Sequence, residues 1–516
     1  MNRLRLCLPA ILLLCCEICM AQTRTSQEWL TWGGDPARSG WAKSETVLSR
    51  NNVGRLELKW KTQLDNPSKV EVLSPLTAPL VAANVRTRQG NKTLVFVVGS
   101  EDIIYSLDAE TGKVVWQRRF PNSAKPMSPP SVNCPNTQNS TPVIDKEEGI
   151  LYALTSDGKL RGLSLADGED RMPPTDFVKP RSRNWSLNLI DGVVYTTVAR
   201  GCEGAVASIT GMHVKDPTRS IVKFETSKGR PAGAWGRSGP VLGPKGLLIQ
   251  TADGPWDVTR NLWANSVMQI SLKNMEVTDY FTPENAAFLT QKDLDFGSAS
   301  PIAFRFQQWN LVAAAGKEGT LYLMDAETLG GLDHRSPIFS QKYGNDDFDS
   351  GQLYAARGMW GASATAEDAQ GNRWLFVPLW GPLSRKAPAF KFIHGMADTG
   401  SVLGFQLGVE KGKPTLLPMW MSRSMAVPDP PVVANGMVFS LSTGENTKQH
   451  PWSAEDRTSN VSNATLYAFD AATGKELYSS NQLIDGWSHF GGLAVAGGRI
   501  YAVTYQNRVY AFGLKR

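Results

Sequence analysis

Cysteine is scarce, and most of it is in the wrong place to staple a fold. Of the six cysteines in 516 residues, Cys7, Cys15, Cys16 and Cys19 precede Met20, leaving Cys134 and Cys202. Beyond Met20 there is no CxxC pair, and no CxxCH occurs anywhere, which leaves a zinc knuckle and a covalently attached c-type haem without support. No unbroken apolar run reaches the roughly 18 residues that a transmembrane helix needs. Basic clustering is missing too. The net charge of +6 is spread over 54 basic and 48 acidic residues, so nucleic-acid binding has no stripe to rest on. Neither a G-x-S-x-G elbow nor a phosphate loop occurs, which leaves acyl and phosphoryl transfer unsupported. The five histidines lie in separate segments without metal-ligand spacing. Capped helical periodicity is hard to find anywhere.

What is present is a repeated hairpin. Residues 105–116 read YSLDAETGKVVW: two apolar strands flank a polar turn, and Gly112 accepts the positive φ that closes it. The pattern returns as YAFDAATGKELY at 467–478, with weaker echoes at 160–170 and 321–331. A hairpin cannot bury its own apolar face, so repetition implies stacking on copies of itself. Segments led by a Pro-containing apolar strand recur at 77–84, 140–145, 238–244, 299–304 and 430–439. The units fall near 75–120, 138–173, 188–228, 236–281, 298–342, 352–422 and 427–480. An eighth combines 487–516 with the early strand 53–64 and closes the ring, removing its open edge. The expected fold is all-β, an eight-bladed β-propeller, with seven blades as the alternative count. Residues 444–463 read as a surface loop inserted within a unit.

The first 21 residues read as a signal peptide: Arg3 and Arg5 lead an apolar run from Leu6 to Cys16, and Cys19-Met20-Ala21 offers small residues for cleavage. The expectation is a periplasmic or secreted protein, with residues 22–516 forming a single domain and no transmembrane anchor after removal of the signal.

The opening W-x-x-W-G-G-D pattern, the following L-x-x-x-N-V-x-x-L-x-x-x-W and the D-A-x-T-G-K-x-x-W turns resemble the quinoprotein dehydrogenases. These are eight-bladed propellers built from PQQ-type repeats that use pyrroloquinoline quinone (PQQ) and calcium. In them the turn tryptophan packs between neighbouring blades. The resemblance covers essentially the whole mature chain. It implies calcium ligation by Glu203 in RGCEG and by Asp253 in TADGPWD, where the family carries an asparagine. In KDLDFGSASPIAF it places Asp293 on the catalytic base, which also contacts the metal, with Asp295 as the alternative. It places Lys317 against the quinone oxygens and Trp235 under the quinone ring. The plainer readings are polar-loop carboxylates, a turn-forming aspartate and a solvated lysine in a K-x-G turn.

Two departures stand out. The mature chain lacks the family's adjacent cysteines, and Val132-Asn133-Cys134 stands where many members carry V-N-R, whose arginine pairs a quinone carboxylate. Lys125 or Arg200 is the candidate substitute. The resemblance also sets Cys134 and Cys202 beside one pocket, which implies a disulfide between them in an oxidising compartment. Two functional expectations follow. One is a dehydrogenase oxidising a small-molecule alcohol or polyol and passing electrons to a separate acceptor. The other is a non-catalytic propeller that presents loops to protein partners as an envelope scaffold.

Overall fold

Short strands dominate because the sequence alternates apolar and polar residues in runs of four to eight and punctuates them with turn residues. Prolines mark where several begin. Strands Leu80–Thr87, Val143–Asp145, Val241–Gly243, Ile302–Phe306 and Val432–Ala434 each follow a proline directly. That is the place where a residue without an N–H removes no ladder bond. The computed structural model describes residues 28–66, 75–121, 140–201, 204–346, 357–446 and 454–515.

The strands form eight antiparallel blades around an axis. Blades 1, 2, 4, 5 and 7 are simple four-stranded meanders spanning 80–119, 143–176, 241–281, 302–342 and 432–479. Blade 3 (182–225) splits its innermost strand into Ser182–Asn184 and Asn188–Ile190, both pairing with Val193–Gly201. Blade 6 (358–421) is the most elaborate, adding Phe392–Ile393 in parallel to Lys413–Met421. Blade 8 takes three strands from 493–514 and its fourth, Leu56–Gln63, from the other end of the chain, paired from Leu56 opposite Leu514 to Gln63 opposite Arg508 with a bulge between Leu58 and Trp60. Among the described residues the helices are short, the α-helical ones being Ala286–Gln291 and Ala454–Ser459. The second lies in the 444–463 insertion, which does interrupt one blade. No helix among the described residues is long and apolar enough to cross a membrane.

The repeated turn is a docking device. Asp108 Oδ1 accepts the N–H groups of Glu110 (2.9 Å) and Thr111 (3.0 Å), shaping the turn from within. Trp60 of blade 8 then donates Nε1–H to Ala109 O of blade 1 at 2.9 Å. The contact is repeated one blade on, Trp116 to Leu165 O at 2.9 Å, and again from blade 6 to blade 7, Trp420 to Ala471 O at 2.8 Å. In each case the turn glycine lies beneath the indole. A Cβ on Gly112, Gly168 or Gly474 would meet the tryptophan at 2.6, 2.7 or 2.6 Å.

The opening motif fills the inside of the ring. Backbone bonds tie Trp29 to Val81, Leu30 to Ile144, Pro36 to Leu242, Ser39 to Thr365 and Gly40 to Val433, so one short segment reaches the inner strands of five blades. Arg38 adds a sixth by donating from Nη2 to Leu187 O at 2.8 Å. The loops entering each blade, and those joining its second and third strands, emerge together at one face. That face carries the site.

Candidate functional site

Three carboxylates and a lysine come together from blades 4 and 5. Asp253 lies in the loop after strand Gly246–Gln250, Asp293 and Asp295 in the segment entering blade 5, and Lys317 in the turn after strand Trp309–Ala315. Gln250 fastens both blade-5 loops to blade 4, donating from Nε2 to Phe296 O and to Ala315 O. Asn265 holds the same segment from the other side, accepting from Phe296 N at 3.0 Å and donating to Thr290 Oγ1 at 2.9 Å. Asp293 is pinned at φ +52°, a left-handed conformation unusual for a residue with a side chain.

Lys317, 8% exposed, is not a solvated turn lysine. Its Nζ bonds Asp293 Oδ1 at 3.3 Å and Asp293 O at 3.2 Å, and it forms an ion pair with Asp295 Oδ2. Asp295 Oδ1 also accepts the Asp253 N–H at 3.2 Å. One oxygen from each of Asp253, Asp293 and Asp295 lies within 4.8 Å of the others.

The electrostatics separate the three acids. Burial, then Asp295 and Asp293, push the Asp253 carboxyl up to about 8. Burial also raises Asp293, against the pull of Lys317. Burial alone would raise Asp295 as well, but the Lys317 charge and the bonds from Asp253 and Lys317 outweigh it and bring it below the ordinary carboxylate range. Burial works against the Lys317 charge, yet Asp295 and Asp293 more than offset it and raise that group. The result is an excess of negative charge around one ammonium. The arrangement suits an added cation, because oxygens on opposite sides of one calcium ion, each at about 2.3–2.6 Å, are about 5 Å apart.

A chain of flat side chains leads away from Lys317 across the axis. Its Nζ stands 5.2 Å from the Trp360 ring centre, and Trp360 stacks on Trp380 at 4.9 Å. Trp380 stacks on Phe490 of the blade-8 entry loop at 5.4 Å. The Arg237 guanidinium lies 3.7 Å from the Phe490 centre and 4.4 Å from that of Trp185, with Arg183 4.9 Å from the same indole. Blades 4 and 8 oppose each other in an eight-membered ring, so Arg237 and Phe490 meet across the axis. Trp185 contacts Trp235 at 6.2 Å, and the Trp235 N–H returns to Gly297 O at 3.2 Å, two residues from Asp295.

Of the residues singled out in the sequence, Asp253, Asp293, Asp295 and Lys317 are therefore joined directly. Trp235 is half-buried and docks by its backbone on their loop. Glu203 lies outside the described residues, as do Cys134, Cys202 and Lys125. Arg200 is exposed at the rim, opposite Arg183 in the sheet register. His489 is buried, its Nδ1 2.8 Å from Glu445 Oε2. His394 is elsewhere, exposed against the docking turn of blade 7 with Nε2 2.8 Å from Thr473 O. Sequence reasoning missed Arg183, Arg237, Trp185 and Phe490. The available signal was the spacing: Arg183 and Trp185, then Trp235 and Arg237, each set a guanidinium two residues from an indole.

The ring is an eight-bladed β-propeller, with the carboxylate–lysine cluster at one face of it. A family model described as outer membrane protein assembly factor BamB matches residues 52–274. Among solved structures, the chain is similar to a europium-containing methanol dehydrogenase at TM-score 0.62 and 13% identity, covering 94% of this chain and 98% of that one. It is also similar to the quinohemoprotein alcohol dehydrogenase of Comamonas testosteroni (TM-score 0.58, 13% identity, 96% and 82% covered). That of Pseudomonas putida HK5 gives TM-score 0.57, 14% identity, and 95% and 80% covered. At these identities the likeness establishes the fold. No curated protein matches the chain in sequence.

Proposed function

We propose that the chain is an exported quinoprotein-like dehydrogenase that oxidises an alcohol or polyol with PQQ and calcium, Asp293 serving as the base. The observation that carries this is the buried Lys317 ammonium shared by Asp293 and Asp295 beside Asp253. The donor set fits a hard cation: three carboxylates clustered on one ammonium are under-compensated, and burial with the two neighbouring acids raises the Asp253 carboxyl. Asp253 and Asp293, joined by Glu203, are the residues that would hold calcium. Lys317 and Trp235 would orient the quinone. When bound, PQQ would supply the hydride acceptor and calcium a Lewis acid beside it.

The chain's own part is proton management. Asp293 keeps part of its carboxylate accessible, with a side chain 27% exposed, and its affinity for a proton is above that of an ordinary carboxylate. Both properties suit a general base that receives an alcohol proton at Oδ. Asp295 is less suited: its two oxygens are engaged by Lys317 and the Asp253 N–H, and its charge is held. It acts as a positioning residue. Lys317 stays protonated and stabilises negative charge developing beside it.

The scaffold reading draws on the family model described as an assembly factor and on the missing adjacent cysteines. Reconstitution with PQQ and calcium, followed by a dye-linked assay over a panel of alcohols, separates the two. Turnover is expected, and Asp293→Asn should reduce it by about 100-fold or more, the range of a positioned base, while PQQ binding persists. PQQ binding without turnover on any alcohol, or no binding at all, favours the scaffold.

A further inference from the structure

We propose that Arg183 and Arg237, gathered on the Trp185 indole, form a buried carboxylate-binding site at the axis that holds the anionic edge of a flat aromatic ligand. This rests on the reading above only for the identity of that ligand as PQQ.

The fold itself shows how it treats a structural arginine. Arg38, equally buried, donates from both terminal nitrogens, to Trp32 O and Leu187 O, each at 2.8 Å, and to Thr31 Oγ1, with only its Nε left without an acceptor. Arg183 and Arg237 are 6% and 8% exposed, yet neither has a carboxylate or carbonyl partner among the described residues. Arg183 Nε and Nη1, Arg237 Nη2 and Trp185 Nε1 are all buried without an acceptor. Burying a guanidinium without an acceptor costs more than stacking on an indole returns.

Nearby negative charge forms no hydrogen bond to either guanidinium among the described residues. Asp429 Oδ2 accepts the Gly492 N–H at 2.8 Å while its Oδ1 is buried without a donor, and Glu445 Oε2 meets His489 Nδ1 at 2.8 Å. Both carboxylates act on Arg237 at a distance, and Arg183 opposes its charge. Burial lowers Arg183 to about 9.

The planar guanidinium fork matches a carboxylate. The surrounding Trp185, Trp235 and Phe490 rings call for a ligand whose body is flat and apolar. A PQQ-like tricarboxylate meets both demands. The arginine pair would then do what the lost V-N-R arginine does in the family, from blades 3 and 4 rather than from the segment holding Cys134.

The test is isothermal titration of the purified chain with PQQ and, separately, with benzene-1,3,5-tricarboxylate, on wild type, Arg183→Met and Arg237→Met. Unfolding temperatures are recorded without ligand. Wild type is expected to bind PQQ, and each substitution to weaken binding by about ten- to a hundredfold. The ligand-free unfolding temperature should hold or rise, since an unpartnered buried charge has gone. Tricarboxylate binding that the substitutions abolish, with no binding of PQQ, would support the anion site and overturn the quinoprotein reading. PQQ binding undiminished in both variants would overturn the anion site and leave that reading standing. Binding of neither ligand overturns both. A clear fall in ligand-free stability in both variants would also overturn the proposal, by showing that the arginines are structural.

Discussion

The seams between blades and the mouth of the axis bury similar residues under opposite rules. At the seams the docking indoles have acceptors: Trp60, Trp116 and Trp420 each donate to a carbonyl of the next blade and lie on a glycine that leaves room for them. At the axis an indole, Trp185, has no acceptor among the described residues and carries two guanidiniums that also lack one there. The carboxylate cluster is intermediate, holding one ammonium for three acids. A satisfied contact stabilises the ring, whereas an unsatisfied buried charge destabilises it and is retained where something else completes it.

The largest effect expected from this contrast is at Lys317. Lys317→Met leaves Asp293 and Asp295 buried without their shared cation, and breaking one side of such a pair costs about 3–5 kcal/mol. Chemical unfolding in a chelator should show that loss in full. Calcium should restore part of it, because a metal can replace the missing ammonium, and mild acid should shrink it as the carboxylates take up protons. If the substitution is silent in the chelator, the cluster is not held by charge.

Trp420→Phe should cost less, about 1–3 kcal/mol, since the ring is kept and only the bond to Ala471 O is lost, leaving that carbonyl unpaired in a fully buried seam. The measurement gains force beside Arg183→Met, where no loss is expected. A silent Trp420→Phe together with a damaging Arg183→Met would reverse the contrast.

The same division explains what could be read from the sequence. The seams announce themselves because their chemistry is local: Asp108, Gly112 and Trp116 lie within one hairpin, and the hairpin is repeated. The eightfold count followed, as did the pairing of Leu56–Gln63 with the last strand, because an incomplete final blade needs a partner. Asp253, Asp293 and Lys317 were singled out through family-like motifs, each inside one loop, and the fold brings them together. The arginine pair had no such handle, since Arg183 and Arg237 gain their meaning only when blade 3 meets blade 4 and Phe490 crosses from blade 8.

The smallest effect is a difference between two alanine substitutions, and it isolates the seam itself. Gly474 and Gly412 both hold a left-handed turn, at φ +71° and +77°. Alanine at either site therefore meets the same backbone strain, about 1 kcal/mol. Their surroundings differ. A Cβ on Gly412 has nothing within 4 Å, while on Gly474 it would meet the Trp420 indole at 2.6 Å. Trp420 has little room to give, since it is fully buried, bonded to Ala471 O and packed against Phe376 and Phe469 at 5.8 and 6.2 Å. Overpacking there adds about 1 kcal/mol or more. Gly474→Ala should thus unfold at lower denaturant than Gly412→Ala, and in a Trp420→Ala background, where the indole is gone, the two should converge. Equal losses in the parent chain would mean that the glycine serves only its turn, and that the repeated motif encodes hairpin geometry rather than the docking of one blade on the next.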